Sequence, residues 1–232
     1  MTGGPDGRLD GRTAIVTGGG RGIGAAVARE LTRRGARVTV FARSAAEVDG
    51  VAASGGAALA VAGDVSVEAD VVRLRASHER VLGPCDVLVH AAGILVRGRV
   101  EVLDPAAWRR VLDVNLTGAF LLARAVLPGM RARGRGRILA IASISAHVGT
   151  AEGSAYNASK WGLVGFAKSL AEEVRGSGVQ VMTISPGGVA TRMLAQTPFP
   201  PAMEADDVAR VVGWCAAEAP DAMSGSDVEV FG

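Results

Sequence analysis

The chain has 232 residues, is 49% hydrophobic and carries a formal net charge of +2, so it can bury one sizeable core. Its basic residues form no long run, which argues against nucleic acid or an anionic membrane as a partner. No apolar run approaches the roughly 18 residues that a membrane-spanning helix needs. The two cysteines form no CxxC pattern, which argues against a metal site and fits a reducing cytoplasm. We therefore predict a cytoplasmic protein with one domain over residues 1–232 and a flexible lead-in over 1–8.

Short apolar runs alternate with amphipathic segments along the whole chain. The strand candidates are TAIVT, RVTVF, ALAVA, DVLVHA, RILAIA, VQVMTIS and DVEVF. Between them, helices are predicted over 23–34, 45–54, 68–82, 105–133, 155–175 and 205–217. Continuous apolar strands separated by helices indicate a parallel sheet that is covered on both faces. This order predicts an α/β doubly wound Rossmann fold, a seven-stranded parallel sheet flanked by helices on both faces.

The first strand is followed by TGGGRGIG, which has five glycines in eight residues. A loose surface turn would be the simplest interpretation. A turn between a strand and a helix, however, points its backbone N–H groups and the helix dipole at one place, which suits a pyrophosphate. Gly18 would then allow the tight turn, Gly22 the close approach of the phosphates, and Gly24 the packing of the helix on the sheet. The context therefore favours nucleotide binding.

The second strand ends in VTVFARS, where a dinucleotide-binding fold recognises the adenosine ribose. An acidic residue there binds the ribose 2′-OH of NAD, whereas an arginine suits a 2′-phosphate. Ala42 leaves this point without negative charge, Arg43 follows it, and Arg21 in the glycine-rich turn offers a second guanidinium. These residues predict NADP(H) rather than NAD(H), unless both are ordinary surface arginines. After the third strand, Asp64 is placed to bond the adenine edge or to cap the third helix.

The only tyrosine of the chain stands in SAYNASKWG, four residues before a lysine. On a helix, Tyr156 and Lys160 would share one face. We expect the lysine to stabilise the phenolate and to lower the tyrosine pKa from about 10, which would make the phenol an acid/base group. A packed aromatic ring with a solvated lysine is the alternative. The fifth strand ends in AIASISA and brings Ser143 to the carboxyl edge of the sheet, where open α/β folds bind ligands.

Six motifs occur in one order: TGGGRGIG, DVLVHAAG, VLDVNLTGAF, ILAIASISA, YNASK and ISPGGVAT. With them the chain resembles the short-chain dehydrogenase/reductase family from about Leu9 to its last residue. The resemblance implies a catalytic tetrad of Asn115, Ser143, Tyr156 and Lys160. Tyr156 would donate the proton to the substrate oxygen, and Ser143 would orient that oxygen. Lys160 would hold the nicotinamide ribose, and Asn115 would fix a relay water unless it only kinks or caps its helix.

The same resemblance implies further contacts with the dinucleotide. They are assigned to Ile23, Val65, Ala92, Gly93, Pro186, Gly187, Val189 and Thr191, in addition to Tyr156 and Lys160. Pro186 and Gly187 would shape the wall beside the nicotinamide, while the backbone of Val189 and the hydroxyl of Thr191 would contact its carboxamide. The family commonly places its serine thirteen residues before the tyrosine, which favours Ser143 over Ser145.

Two features depart from the family pattern. His90 stands where the family often has an asparagine that ties neighbouring strands, and we expect a hydrogen-bonded structural histidine there rather than a catalytic one. The loop over 192–204 is shorter than the helical lid that is common in the family. Met193, Leu194 and Phe199 in this loop offer an apolar surface to a substrate or to the core. We therefore expect an open site, or a lid borrowed from a neighbouring subunit.

The sequence thus predicts an NADPH-dependent oxidoreductase that reduces a ketone, of carbonyl or 3-oxoacyl type, to a secondary alcohol and also runs in reverse. An NAD-dependent secondary-alcohol dehydrogenase is the nearest alternative. A non-catalytic nucleotide-binding regulator is disfavoured because the tyrosine and lysine are present. An isomerase or a dehydratase stays open.

The resemblance also implies a homodimer or a homotetramer that pairs the two longest helices. These helices carry the large apolar residues Trp108, Phe120, Trp161 and Phe166. Core packing would explain each of these residues equally well. The expected partner beyond a second copy is a small-molecule carbonyl or alcohol substrate.

Overall fold

The structure, a computed structural model, describes residues 7–232. Within this range the strands are β1 (Thr13–Thr17), β2 (Arg37–Ala42), β3 (Leu59–Ala62), β4 (Val87–His90), β5 (Gly136–Ile141), β6 (Val179–Pro186) and β7 (Asp227–Val230). The α-helices of the same range are α1 (Gly22–Arg33), α2 (Ala45–Ala53), α3 (Glu68–Leu82), α4 (Pro105–Leu112), α5 (Gly118–Ala132), α6 (Ser154–Glu173) and α7 (Ala205–Ala217).

The strands form one parallel sheet in the order β3-β2-β1-β4-β5-β6-β7 across the described residues. Strands β1 and β6 are buried along their whole length, as expected of strands that are covered on both faces. The strand order reverses between β1 and β4, and this reversal opens a crevice at the carboxyl ends of the strands. The predicted Rossmann fold is confirmed.

Helices cover both faces of the sheet. On one face, buried residues of α1 and α7, such as Leu31 and Val212, form a core with β1 and β2. On the other face, α3, α5 and α6 contribute residues such as Leu74, Leu122 and Leu170 to a second core. These two layers fix the strand ends against which the candidate site is built.

The long helix predicted over 105–133 is interrupted. Helix α4 ends at Leu112, a π-helical turn covers Asp113–Thr117, and α5 continues from Gly118. The backbone N–H of Gly118 bonds to the carbonyl of Asp113, five residues earlier, which is the spacing of a π-turn and is often found at functional sites. Asn115, in the middle of this turn, is completely buried.

The same helical stretch, Pro105–Ala132, has the length and the apolar composition of a membrane-spanning helix, with a window of mean hydropathy 1.4. Half of that window is buried within the protein. The core helix of a soluble protein passes the same test of length and composition, so the resemblance to a span is weak.

Two segments expected to be irregular have defined contacts. Of the lead-in over 1–8, residues 1–6 lie outside the described range, while the carbonyl of Gly7 accepts a hydrogen bond of 3.0 Å from Arg34. The loop over 192–204 holds a short 3₁₀ turn, Leu194–Gln196. Its end is attached to the strand-six loop, where Ala190 N–H bonds to the carbonyl of Met203 at 2.9 Å.

Candidate active site

The glycine-rich turn lies between β1 and α1, as predicted. Gly18 has a φ of +66°, and a Cβ there would lie 2.7 Å from the carbonyl oxygen of Ala91. A Cβ at Gly24 would overlap the carbonyl oxygen of Gly18, so helix α1 packs directly on the turn. In the described chain no side chain caps α1, and its first turn has no acidic residue. Its N-terminal N–H groups therefore fit an anionic group such as a pyrophosphate.

The residues predicted to select the 2′-phosphate lie at the surface beside this turn. Arg43 is exposed and forms no hydrogen bond or ion pair with the described residues. Arg21, in contrast, is paired: its Nη1 lies 3.1 Å from Oε1 of Glu47, in the first turn of α2. No sequence motif marks this carboxylate as part of the cofactor site.

Asp64 is held in a local network after β3. Its Oδ1 accepts bonds from the N–H of Ser66 at 2.9 Å and from its hydroxyl at 2.7 Å, and its Oδ2 pairs with Arg110. Helix α3 instead begins with Val67 at its N-cap and has no capping side chain in the described chain. The capping role suggested for Asp64 is therefore wrong, and a contact with adenine stays a prediction.

Tyr156 and Lys160 lie one turn apart on α6, but the expected pKa effect is not found. Burial raises the pKa of Tyr156 above its ordinary value, and the neighbouring hydroxyl of Ser143 opposes this only in part. Burial also lowers the pKa of Lys160 to about 8, and its Nζ lies over the ring face, 5.5 Å from the centroid. The expectation that the tyrosine pKa is lowered is wrong, because loss of hydration on burial is the largest effect on it. The phenol keeps its proton at neutral pH.

Ser143 and Lys160 are oriented by backbone groups. Ser143 caps a 3₁₀ turn, Ile144–Ala146, by accepting the N–H of Ser145 at 3.1 Å. The ammonium of Lys160 donates to the carbonyl of Ile141, at the end of β5, at 2.7 Å. Both groups are therefore held at the carboxyl edge of the sheet. Of the two candidate serines, Ser143 is the one whose hydroxyl affects the pKa of Tyr156.

Asn115 lies behind this group rather than on its surface. Its Oδ1 accepts the N–H of Ile94 at 2.8 Å, and its Nδ2 donates to the carbonyl of Ile94 and to the hydroxyl of Ser159. A Cβ at Gly93 would lie 3.5 Å from Asn115 Oδ1 and 3.8 Å from Lys160 Nζ. Asn115 thus connects the end of β4 to α6 beside the lysine, within an interrupted helix.

His90 is buried at the end of β4. Its Nδ1 lies 3.1 Å from Oγ1 of Thr17 on the neighbouring strand β1, which is the expected tie between strands. Its Nε2 has no hydrogen-bond partner among the described residues, so the histidine is only half satisfied. Burial, assisted by the charge of Lys160, lowers the pKa of His90 to about 3.

Replacing His90 by Asn should reduce acid sensitivity. The folded-state pKa of about 3 lies below the ordinary 6.5, so the unfolded chain takes up this proton first and the folded protein loses stability as the pH falls through this window. The free energy of unfolding of His90→Asn minus that of wild type should therefore increase by roughly 2–3 kcal/mol as the pH is lowered from 7.5 to 4.5. Urea titrations across this range measure the difference. A flat difference, or lost turnover at unchanged stability, would contradict the structural role.

A cavity of about 310 Å³ lies at the carboxyl ends of the central strands. The predicted residues that line it are Ile23, Gly93, Ser143, Tyr156, Lys160, Pro186, Gly187, Val189 and Thr191. The other predicted residues lie outside the lining described for it: Gly18, Arg21, Gly22, Gly24, Arg43, Asp64, Val65, Ala92 and Asn115. One cavity therefore joins Ile23, in the first turn of α1, to the tyrosine and lysine, and it suits the nicotinamide end of a dinucleotide beside a substrate.

Several residues of the cavity wall were not predicted from the sequence. Leu95, Arg97, Val148 and Thr150 line it, although no motif marks their loops. Asn157 also lines it, and this residue belongs to the YNASK motif, so the sequence could have indicated it. Its Nδ2 donates to the carbonyl of Val148 at 2.7 Å. Met193, Leu194 and Phe199 of the short loop do line the cavity. Phe199 is 49% exposed, which leaves the mouth accessible to solvent.

Comparisons with known proteins agree with this geometry. A family model described as short chain dehydrogenase matches residues 12–199. An acetoacetyl-CoA reductase from Shinella zoogloeoides is 36% identical over 237 residues, covering 95% of this chain and 97% of that protein. A 3-alpha-(or 20-beta)-hydroxysteroid dehydrogenase from Mycobacterium bovis is 37% identical over 234 residues, covering 97% and 90%. The crystal structure of gox2181 superposes with a TM-score of 0.90 at 31% identity, over 97% of this chain and 96% of that one.

The family match covers most of the chain, and the relatives match almost its whole length. The resemblance seen in the motifs is thereby confirmed. The chain belongs to the short-chain dehydrogenases and is an oxidoreductase that acts on CH–OH and C=O groups.

Proposed function

We propose that the protein is an NADPH-dependent reductase that converts a ketone, of carbonyl or 3-oxoacyl type, into a secondary alcohol, and that the reaction is reversible. The observation that carries the proposal is the convergence of Ser143, Tyr156 and Lys160 on one cavity that also reaches Ile23 at the start of α1. The names of two relatives, an acetoacetyl-CoA reductase and a hydroxysteroid dehydrogenase, support carbonyl chemistry and leave the substrate's size open.

The protonation states suit reduction. A half-buried phenol whose pKa is raised holds its proton at neutral pH, and a reductase needs that proton for the substrate oxygen. Ser143 and Tyr156 line the same cavity, and the Ser143 hydroxyl is near enough to affect the pKa of Tyr156, so both hydroxyls could bond one carbonyl oxygen as it gains negative charge. When bound, the nicotinamide supplies the hydride, while the protein supplies orientation and electrostatics.

Lys160 and Asn115 would act behind this pair. The ammonium of Lys160 is fully buried beside the tyrosine ring, where it would bond ribose hydroxyls of the nucleotide and stabilise the phenolate left after proton transfer. Asn115, through its bonds to Ile94 and Ser159, would hold the loop after β4 against helix α6. A proton that returns to the phenol would pass through Lys160, on the side of the cavity where Asn115 lies.

The preference for NADPH rests on the end of β2. Ala42 places no carboxylate beside the expected ribose, and the exposed Arg43 has a guanidinium without a partner among the described residues. A dianionic 2′-phosphate would form a charge-assisted bond with it. The pairing of Arg21 with Glu47 favours the second candidate, an NAD-dependent secondary-alcohol dehydrogenase, since it occupies one of the two predicted arginines.

Replacing Ala42 by Asp tests the cofactor assignment. Ketones, 3-oxoacyl thioesters and secondary alcohols are screened by nicotinamide absorbance, and kcat/KM is compared for NADPH and NADH on the best substrate. The new carboxylate should repel the 2′-phosphate and accept the 2′-OH, so the NADPH:NADH ratio should fall by about tenfold or more.

Ala53→Asp is the matched control, because it adds the same charge at an exposed position at the far end of α2. Its cofactor ratio should equal that of wild type. A wild-type enzyme that prefers NADH, or an Ala42→Asp variant with an unchanged ratio, would refute the NADPH assignment and leave the dehydrogenase alternative.

We also propose a cytoplasmic homo-oligomer. Phe120 on α5 and Trp161 on α6 are 45% and 54% exposed, so core packing does not explain them. Phe120 meets Phe166 edge to face, with ring centroids 6.4 Å apart, and extends this apolar surface. A symmetric pairing of these helices in a second copy would cover it. The two cysteines are free and buried, which suits a reducing compartment.

A further inference from the structure

A carboxylate lies among the residues that would recognise the cofactor's 2′-phosphate. Oε1 of Glu47 is 3.1 Å from Nη1 of Arg21 and 3.7 Å from Nη1 of Arg192. The Glu47 side chain is 31% exposed, whereas the two arginines are 58% and 80% exposed. A half-buried acid thus joins the glycine-rich turn to the loop over 192–204.

The position of Glu47 is fixed by the fold rather than by its charge. It is the third residue of α2, and its N–H donates to Oγ of the N-cap Ser44 at 3.3 Å. The sequence SAAE is the pattern of a capping box, in which the glutamate turns back to the N-cap N–H. Here the carboxylate bonds Arg21 instead. A Cβ at Gly20 would lie 2.8 Å from Cβ of Glu47, so the turn packs directly on this residue.

This arrangement sets two anions in competition for one guanidinium. Arg21 can pair with Glu47 or offer the same N–H groups to a phosphate. NADH lacks the phosphate and leaves the pair of Arg21 and Glu47 intact.

We propose that Glu47 determines cofactor selectivity by competing with the 2′-phosphate for Arg21, and that it thereby weakens the preference for NADPH. The inference rests on the proposed function, since it concerns the same cofactor site. Glu47 acts through Arg21 and is not a catalytic residue.

Equilibrium binding tests the proposal without turnover. Isothermal titration of the full chain with NADPH and with NADH, at low salt, gives four Kd values for wild type and Glu47→Gln. Glutamine keeps the size and the capping ability of the side chain but removes the charge. We expect Glu47→Gln to lower the Kd for NADPH roughly threefold to fivefold, the range of an exposed ion pair. The Kd for NADH should stay within about twofold of the wild-type value. The gain should shrink at high salt.

Two controls separate a specific effect from a general loss of negative charge. Asp49→Asn removes an exposed charge from the same helix, where it has no ion pair among the described residues, and should change neither Kd. In an Arg21→Gln background, Glu47→Gln should change the NADPH Kd by less than about twofold, because the competing guanidinium is gone.

The proposal is overturned if Glu47→Gln leaves the NADPH Kd unchanged or raises it. It is also overturned if the variant binds NADH more weakly than wild type, which would mean that the carboxylate holds the ribose. A gain in NADPH affinity that persists in the Arg21→Gln background would overturn it as well. A wild-type preference for NADH would refute the proposed NADPH function by itself. The effect of Glu47→Gln on NADPH would still decide the role of Glu47.

Discussion

Replacing Tyr156 by Phe is expected to lower kcat by about 10³-fold while the protein folds and binds NADPH as before. The change removes one hydroxyl from a half-buried ring. With it go the proton that the phenol carries at neutral pH and the interaction of the hydroxyl with Ser143. The ring itself, over which the ammonium of Lys160 lies, stays in place. Single-turnover rates at saturating NADPH, with Kd from titration and the thermal midpoint, separate the lost proton donor from lost binding.

Trp161→Phe provides the comparison, since it is an aromatic change on the same helix at a side chain that is 54% exposed. Its kcat should stay close to that of wild type. Tyr156→Phe with wild-type turnover on the best substrate would show that another group donates the proton. Tyr156→Phe that no longer binds NADPH would show that the hydroxyl serves the cofactor rather than the substrate.

The sheet could be predicted from the sequence because each strand is a short run of apolar, often β-branched residues that has to be buried on both faces. Runs such as TAIVT and VQVMTIS allow few other structures, and the helical periods between them define the layers. The helix bounds agree with the predicted ones within about two residues. The interruption over Asp113–Thr117 could not be predicted, because a π-turn keeps nearly the same pattern of buried positions as an α-helix.

The identity of the candidate site could be predicted more fully than its electrostatics. Helical spacing shows that Tyr156 and Lys160 share a face, but it does not show how deeply that face is buried. The depth decides the sign of the tyrosine's pKa change, and burial proved to be the larger effect. His90 illustrates the same limit. A buried partner on β1 could be foreseen from the strand order, whereas an unpaired Nε2 depends on the tertiary surroundings.

Contacts between surface residues that lie far apart in the chain could also not be predicted from the sequence. Glu47 lies 26 positions from Arg21 in the chain, and its SAAE pattern is typical of a capping box. Asp64 lies 46 positions from Arg110, which takes up its second oxygen. In both cases the local pattern was compatible with a short-range role, and the packing of neighbouring loops gave the carboxylate a long-range partner.

Replacing Gly24 by Ala is expected to weaken NADPH binding by about 100-fold or more. A Cβ at this position would overlap the carbonyl oxygen of Gly18, which belongs to the backbone and cannot move as a flexible side chain would. Helix α1 would have to shift away from the turn, and its N-terminal N–H groups would no longer converge on the pyrophosphate. The same strain should lower the free energy of unfolding by about 1–3 kcal/mol. Titration with NADPH and urea unfolding measure the two effects.

Gly50→Ala separates the steric effect from the ordinary helix preference for alanine. Gly50 lies inside α2, and nothing lies within 4 Å of a Cβ built there. This variant should bind NADPH as wild type does and gain roughly 0.5–1 kcal/mol of stability, because alanine loses less backbone entropy on folding. If Gly24→Ala instead behaves like Gly50→Ala, helix α1 does not need its close approach to Gly18, and the assignment of this turn as the phosphate site loses its geometric basis.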